Sequence, residues 1–225
     1  MSMTSPKAGF FITFEGLDGC GKTTQMKLLA QRLRVAGRTV LESYEPGGTR
    51  IGAQVRRILL DAANHELCPT AELLLYFACR AQNVEEAILP ALRRGDVVLS
   101  DRFTDSTLVY QGVGRGLGKQ VVLTLDQIAC KGLVPDLTLL LDIDLETSLA
   151  RARARNDAAG QSGAPAETRM DDQDLAFHRK VQQAYAELAA QHPERIVVID
   201  ARAAIEDIAG RIWQTVARRL EISHV

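Results

Sequence analysis

Gly16-Leu17-Asp18-Gly19-Cys20-Gly21-Lys22-Thr23 decides the fold, because it follows the apolar run Phe10-Phe11-Ile12-Thr13-Phe14 and precedes the helical pattern Thr24-Gln25-Met26-Lys27-Leu28-Leu29-Ala30. It is G-x-x-x-x-G-K-[ST] in the setting that the motif requires, strand then loop then helix. Its glycines let the backbone curl around a phosphate with the N–H groups pointing inward. Lys22 is spaced to reach the β- and γ-phosphates, and Thr23 to offer its hydroxyl to Mg²⁺. The helix that starts near Lys22 turns its positive dipole end and unpaired N–H groups to the same anion. The loop from Gly16 to Thr23, with Thr24 behind it, is therefore expected to hold ATP by its phosphates.

Working outward, strands and helices alternate. Thr39–Glu45 reads as a second strand ended by Pro46-Gly47-Gly48, Val97–Asp101 as a third, Leu137–Ile143 as a fourth and Arg195–Asp200 as a fifth. Thr49–Asp61 and Thr70–Leu92 are helical in period. This pattern predicts an α/β fold of the P-loop NTPase kind, a five-stranded parallel sheet flanked by helices, with ligands at the carboxyl ends of the strands. Glu45, Asp101 and the glycine-rich loop should meet there.

The chain has 225 residues, 46% of them hydrophobic, which suits one domain over 1–225 with its core at 9–225. A net charge of −1 gives no general attraction to nucleic acid or membrane, so phosphate recognition must come from locally placed arginines. Neither kind of partner is expected. Cys20, Cys68, Cys79 and Cys130 form no C-x-x-C pair, which argues against zinc or disulfides and for free thiols in a core. His65, His178, His192 and His224 sit in polar or terminal stretches and read as surface residues. The short polar opening lacks the apolar run of a signal peptide, and the expected location is cytoplasmic.

One segment departs from the packed pattern. Asn156–Thr168 is small, polar and non-periodic, flanked by Arg151, Arg153, Arg155 and Arg169, and reads as a short, mobile, basic lid over about 151–170. Phosphoryl transfer needs positive charge at the equatorial oxygens, where the loop itself offers Lys22 alone. A closing arginine lid would add to it and exclude water.

Further motifs follow in order: Phe14-Glu15-Gly16 ahead of the loop, Glu45-Pro46-Gly47-Gly48-Thr49, Arg80-Ala81-Gln82, Asp101-Arg102-Phe103, Tyr110-Gln111-Gly112 and Pro135-Asp136-Leu137-Thr138. Together they make the chain resemble the thymidylate kinases, P-loop enzymes that convert dTMP to dTDP with ATP, along essentially its whole length. The resemblance implies a single nucleoside monophosphate kinase domain, usually a homodimer. It implies that Arg102 grips the acceptor phosphate, that Asp101 organises Mg²⁺ with Thr23, that Asp18 meets the sugar 3′-hydroxyl, and that Arg56 is a second acceptor-phosphate arginine. Glu45 and Pro46 belong to the expected dTMP set. Thr107, Tyr110 and Gln111 resemble the residues that read the base and crowd the sugar 2′ position. Tyr76 and Arg80, four apart, share a helix face, so a ring can stack on thymine while a guanidinium donates to a base carbonyl. Two departures stand out. Relatives usually stack with phenylalanine where Tyr76 stands, which leaves both Tyr76 and Phe77 as stackers, and many carry arginine where Tyr44 stands. With no arginine inside the P-loop, the chain resembles the bacterial type whose catalytic arginine comes from the lid, here Arg151, Arg153, Arg155 or Arg169.

Such a reaction needs no covalent intermediate. A phosphate monoester has a second pKa of about 6 and attacks as an anion, so Lys22, Asp101, Arg102 and the lid arginines act by position and charge. A P-loop deoxynucleoside kinase acting on thymidine is the alternative, but a hydroxyl acceptor would have little use for Arg102 and Arg56. A GTP switch would need an Asn-Lys-x-Asp motif, which the chain lacks, and a silent interaction module would not need Lys22, Thr23, Asp101 and Arg102.

Overall fold

The five apolar runs pair as parallel strands, β1 (Phe10–Glu15), β2 (Val40–Tyr44), β3 (Val97–Asp101), β4 (Leu137–Asp142) and β5 (Ile196–Asp200), in the order β2-β3-β1-β4-β5. This computed structural model describes residues 9–161 and 167–222. The chain leaves β1 for one edge of the sheet and later crosses to the other side of β1 to build β4 and β5. The crevice at such a reversal lies at the carboxyl ends of the strands, which is where the P-loop emerges.

Alternation along each strand feeds two cores. Ile12, Phe14, Leu99 and Leu139 pack against α1 (Lys22–Val35) and α9 (Ile205–Arg219). Phe11, Val98 and Leu140 face the opposite layer, built from α3 (Pro69–Asn83), α6 (Lys119–Cys130) and α8 (Leu175–Gln191). Both faces are covered, so the strands read as continuous apolar runs. Register brings Asp101 beside both Phe14 and Tyr44, and the Glu45 N–H donates to the Asp101 carbonyl at 2.9 Å. Three strand ends thus converge within a few ångströms.

Side chains cap two of the helices that frame the site. The Thr49 hydroxyl accepts from Gly52 N–H at 2.9 Å at the start of α2 (Arg50–Leu60), and Asp174 accepts from Phe177 N–H at 2.7 Å at the start of α8.

The structure corrects several sequence expectations. The single helix expected over Thr70–Leu92 is α3, a π-helical stretch at Val84–Ile88, and the short α4 (Leu89–Arg93). Pro90 lacks an N–H and its ring crowds the carbonyl four residues back, so the backbone widens there. The segment expected as a lid loop from Asn156 begins as helix: α7 runs from Leu145 to Gln161, its alanines favouring helix past the arginines. The middle of that segment, residues 162–166, lies outside the described residues, as does His224. His178 is 3% exposed, because with Phe177, Val181 and Tyr185 it lies on the inward stripe of α8. Cys68 is exposed at the start of α3, whereas Cys20, Cys79 and Cys130 are buried as expected.

Leu139 has no exposed surface at the centre of the sheet. Leu139→Ala is expected to cost about 3 kcal/mol, read as a lower urea midpoint with unchanged slope.

Candidate active site

The P-loop is built around backbone groups. Gly21 holds φ 98° and starts α1 with no side-chain cap, so the first N–H groups of the helix face the hollow of the loop. Gly19, at φ 79°, sits so close to α7 that a Cβ there would lie 2.4 Å from the Ser148 carbonyl. That approach is locked by the Ser148 hydroxyl, which donates to the Asp18 carbonyl at 2.5 Å. Lys22 is 6% exposed and donates from Nζ to the carbonyls of Leu17 (2.7 Å) and Gly16 (3.1 Å). Cys20 turns its side chain into the core, 2% exposed, so its contribution to the loop is backbone. Thr24 lies exposed on the first turn of α1.

Thr23 donates from its hydroxyl to Asp101 Oδ2 at 2.5 Å, which joins the end of the P-loop to the end of β3. A hydroxyl and a carboxylate are hard oxygen ligands, and they suit a Mg²⁺ that takes its remaining ligands from water and phosphate. Among the described residues no cluster of three or more His, Cys, Asp or Glu could cage a metal by itself. The donor set therefore fits a cation that arrives with its nucleotide.

Beside the loop lies a cavity of about 460 Å³. Every residue expected at the acceptor lines it: Asp18, Glu45 and Pro46 from the strand ends, Arg56 from α2, Tyr76 and Arg80 from α3, and Arg102, Thr107, Tyr110 and Gln111 from the segment after β3. Phe77 is 4% exposed in the core and does not line the cavity, so the structure places Tyr76 and not Phe77 where a base could stack.

Arg80 is 1% exposed, with the Phe77 and Phe103 rings each 5.0 Å from its guanidinium carbon. Its Nε donates to Glu45 at 2.5 Å and its Nη2 to the Thr107 hydroxyl at 2.9 Å, which leaves Nη1 without a partner among the described residues. A buried donor held this rigidly is ready for one carbonyl. Gln111 is held by Glu72, to which its amide donates at 2.8 Å. Tyr44 gives Arg56 an aromatic face, its ring centroid 5.7 Å from the guanidinium carbon.

Arg102 adopts φ 72°, a left-handed conformation that costs a non-glycine residue roughly 1 to 3 kcal/mol. The turn aims its guanidinium back across the loop, where Nη2 donates to Asp18 Oδ1 at 2.7 Å and the plane lies over the Tyr110 ring. Burial alone would raise the Asp18 pKa, but Arg102 and then Lys22 hold it well below the usual carboxylate range.

The lid arginines separate. Arg155 lines the cavity and pairs with Asp171 at 2.9 Å. Arg151, one turn earlier, lies beside the P-loop, its Cβ 3.0 Å from where a Gly19 Cβ would stand. Arg153 lines a different surface depression with Asp144 and Arg179, on the far side of α7. Arg169 is buried, donating to Glu72 at 2.6 Å and to the Leu59 carbonyl at 2.5 Å, which makes it a fastening of the chain ahead of α8.

Sequence reasoning missed Glu15, Ser106 and Tyr185. Glu15 has no exposed surface and accepts from Phe103 N–H (2.7 Å), the Ser106 hydroxyl (2.5 Å) and the Tyr185 hydroxyl (2.8 Å). Burial, then the facing Asp105, push its pKa from 4.5 to about 7 against the pull of Arg102. An acid ending an apolar strand was the available signal for Glu15. Ser106 sits just past the Asp-Arg-Phe turn, and Tyr185, on a distant helix, carries no local signal. Asp171, Glu167 and Asn156 also line the cavity unannounced.

A phosphate-cradling loop, a strand-end carboxylate and an arginine-lined acceptor cavity on a parallel sheet define a P-loop phosphotransferase. The family model described as Thymidylate kinase matches residues 14–212. A thymidylate kinase of Trichlorobacter lovleyi is 50% identical over 212 residues, covering 94% of this chain and 99% of that protein. One from Pelobacter propionicus is also 50% identical, over 204 residues, covering 91% and 92%. The crystal structure of thymidylate kinase from Ehrlichia chaffeensis superposes with a TM-score of 0.72 at 30% identity, covering 93% of this chain and 99% of that one. The chain belongs to the thymidylate kinase family.

Glu15 titrates higher folded than unfolded, so its stabilising contribution is complete below pH 4.5 and lost as pH rises through about 7. Melting temperatures from pH 5 to pH 8 should therefore fall more for the wild type than for Glu15→Gln; parallel curves would refute this.

Proposed function

We propose that this chain transfers the γ-phosphoryl group of ATP to dTMP, giving dTDP and ADP, as a step of dTTP synthesis. The observation that carries this reading is the cavity beside the P-loop in which all the acceptor residues meet. A hydroxyl acceptor would leave Arg102 and Arg56 without a purpose, and family membership likewise favours dTMP over thymidine.

In this reading an oxygen of the dTMP phosphate, ionised near neutral pH, attacks the γ-phosphorus in line. The new P–O bond forms as the bond to the β–γ bridging oxygen breaks, and ADP leaves with the electron pair. Residues Gly16 to Thr24 hold the ATP phosphates by backbone N–H groups, and Lys22 follows the charge on the β- and γ-oxygens. Thr23 and Asp101 would hold Mg²⁺, which when bound neutralises charge on the phosphates. Arg102 and Arg56 orient the acceptor phosphate, and Asp18, already paired to Arg102, takes the sugar hydroxyl. Tyr76 stacks on thymine, Nη1 of Arg80 donates to a base carbonyl, Thr107 and Gln111 complete the base site, and Tyr110 closes the 2′ side. Glu45 and Pro46 form its wall by holding Arg80 and Arg56. Arg151 and Arg155 share one face of α7 and bring the lid charge, whereas Arg153 lines a different depression and Arg169 is tied to Glu72.

The chain acts as one domain, core 9–225 with the lid at about 151–170, in the cytoplasm, without nucleic-acid or membrane partners. Free cysteines support a reducing compartment. Among the described residues no helix is long and apolar enough to cross a membrane. A homodimer is supported by apolar residues left exposed on adjacent helices, Ile51 and Ile58 on α2, Leu74 on α3, and Val121 and Ile128 on α6.

A coupled assay with ATP, Mg²⁺ and dTMP is expected to show turnover, and thymidine to be neglected; comparable rates with thymidine would overturn the reading. Arg102→Ala should raise KM for dTMP at least about tenfold while KM for ATP stays within about twofold. Arg151→Ala or Arg155→Ala should lower kcat about a hundredfold or more, and Arg153→Ala should change it little, which steady-state kinetics will separate.

A further inference from the structure

Arg102 is held in a conformation it would not choose, and the groups that hold it lead to one side chain. Each peptide group of its turn is tied: Arg102 N–H donates to the Phe14 carbonyl at 2.9 Å, the Ser100 hydroxyl to the Arg102 carbonyl at 2.8 Å, and Phe103 N–H to Glu15 Oε1 at 2.7 Å. Its guanidinium donates from Nη1 to the Ser106 hydroxyl at 2.9 Å and lies 3.5 Å from the Tyr185 hydroxyl. Those two hydroxyls both donate to Glu15 Oε2. Glu15 has no exposed surface and does not line the acceptor cavity. It cannot touch a substrate.

We propose that Glu15 is the positioning residue of the acceptor arginine, fixing the turn of Arg102 through Phe103 N–H and its guanidinium through Ser106 and Tyr185. This rests on Arg102 being the acceptor-phosphate arginine. Proton counting gives the mechanism. Glu15 Oε2, Ser106 Oγ and Tyr185 OH form a triangle with sides of 2.5, 2.8 and 2.9 Å. With Glu15 ionised, two hydroxyl protons serve three oxygens; both point at Oε2, and both hydroxyl oxygens turn their lone pairs to Arg102. With Glu15 protonated, a third proton closes the triangle, each hydroxyl oxygen accepts one bond within it and keeps fewer lone pairs for Arg102, and the negative charge behind the guanidinium is lost.

The charged and titratable groups facing Glu15 are Arg102 and Asp105 from the segment after β3, Tyr185 from α8, and Arg195 ahead of β5, which pairs with Asp105 at 2.6 Å. Burial and Asp105 set its titration at about 7, so the arrangement around Arg102 changes across the neutral range. Grip on the acceptor phosphate strengthens as pH rises.

Glu15→Gln keeps the shape and removes the charge. In steady-state kinetics with ATP and dTMP it is expected to raise KM for dTMP about tenfold, with KM for ATP within about twofold. In the wild type kcat/KM for dTMP should climb through pH 7, above the ionisation of the dTMP phosphate at about 6; in Glu15→Gln only the lower step should remain. Tyr185→Phe removes one of the two hydroxyls without adding bulk and should raise KM for dTMP about threefold, which decides the matter even where Glu15→Gln does not fold. An unchanged KM for dTMP in the folded variants, an equal loss for ATP, or a wild-type pH profile in Glu15→Gln overturns the proposal. Arg102→Ala distinguishes the failures: if it too leaves KM for dTMP unchanged, the reading of Arg102 falls, and if it raises that KM while Glu15→Gln does not, the role of Glu15 alone falls.

Discussion

The ion pair between Asp18 and Arg102, 2.7 Å long and mostly buried, joins the P-loop to the cavity proposed to take the acceptor. Asp18 belongs to the P-loop and Arg102 to the end of β3, and they are neighbours because β1 and β3 lie side by side in register. A pair taken out of water is no strong source of stability, since desolvation offsets much of the attraction. Its value is positional. Deleting either member would leave an uncompensated charge in the one place where two phosphates must be brought into line.

The same logic extends round the cavity, where each arginine has a carboxylate partner: Arg80 with Glu45, Arg102 with Asp18, Arg56 with Glu167 and Arg155 with Asp171. These pairs differ in kind. Arg80 and Glu45 are nearly inaccessible and fixed by packing, which suits the base-reading role proposed for Arg80. Arg56 and Glu167 are 29% and 41% exposed, and a pair so open to water holds weakly and exchanges partners at little cost. The Arg80–Glu45 and Arg102–Asp18 pairs are thus the closed ones, and the Arg56–Glu167 and Arg155–Asp171 pairs each have at least one member open to water.

Much of this was legible in the chain. The P-loop and the five strands could be read because each depends on local spacing, a strand's apolar run or a loop's glycines; Tyr76 and Arg80 were paired by a helix's four-residue step and Arg102 and Arg56 by the family resemblance, and all four line one cavity. The misreadings share a cause. His178 and Cys68 exchange their expected places because burial depends on which face of a helix meets another element, and the local polarity around them was a poor guide. Four arginines near the lid look equivalent in one dimension; the helix continuing to Gln161 sends Arg153 to the side away from Arg151 and Arg155, and Arg169 to Glu72.

By itself the sequence determined the P-loop and the parallel sheet, because motif chemistry and periodicity act over a few residues, and the kind of acceptor followed from what the ordered motifs resemble. Tertiary structure alone decided that Arg155 lines the cavity and Arg151 lies beside the P-loop, that Tyr76 rather than Phe77 reaches the cavity, and that Glu15, Ser106 and Tyr185 converge behind Arg102. Glu15 and Tyr185 lie 170 residues apart, yet their oxygens are 2.8 Å apart. A contact of that range costs loop-closure entropy and is made when the whole sheet and α8 pack together, so no local pattern in the chain announces it.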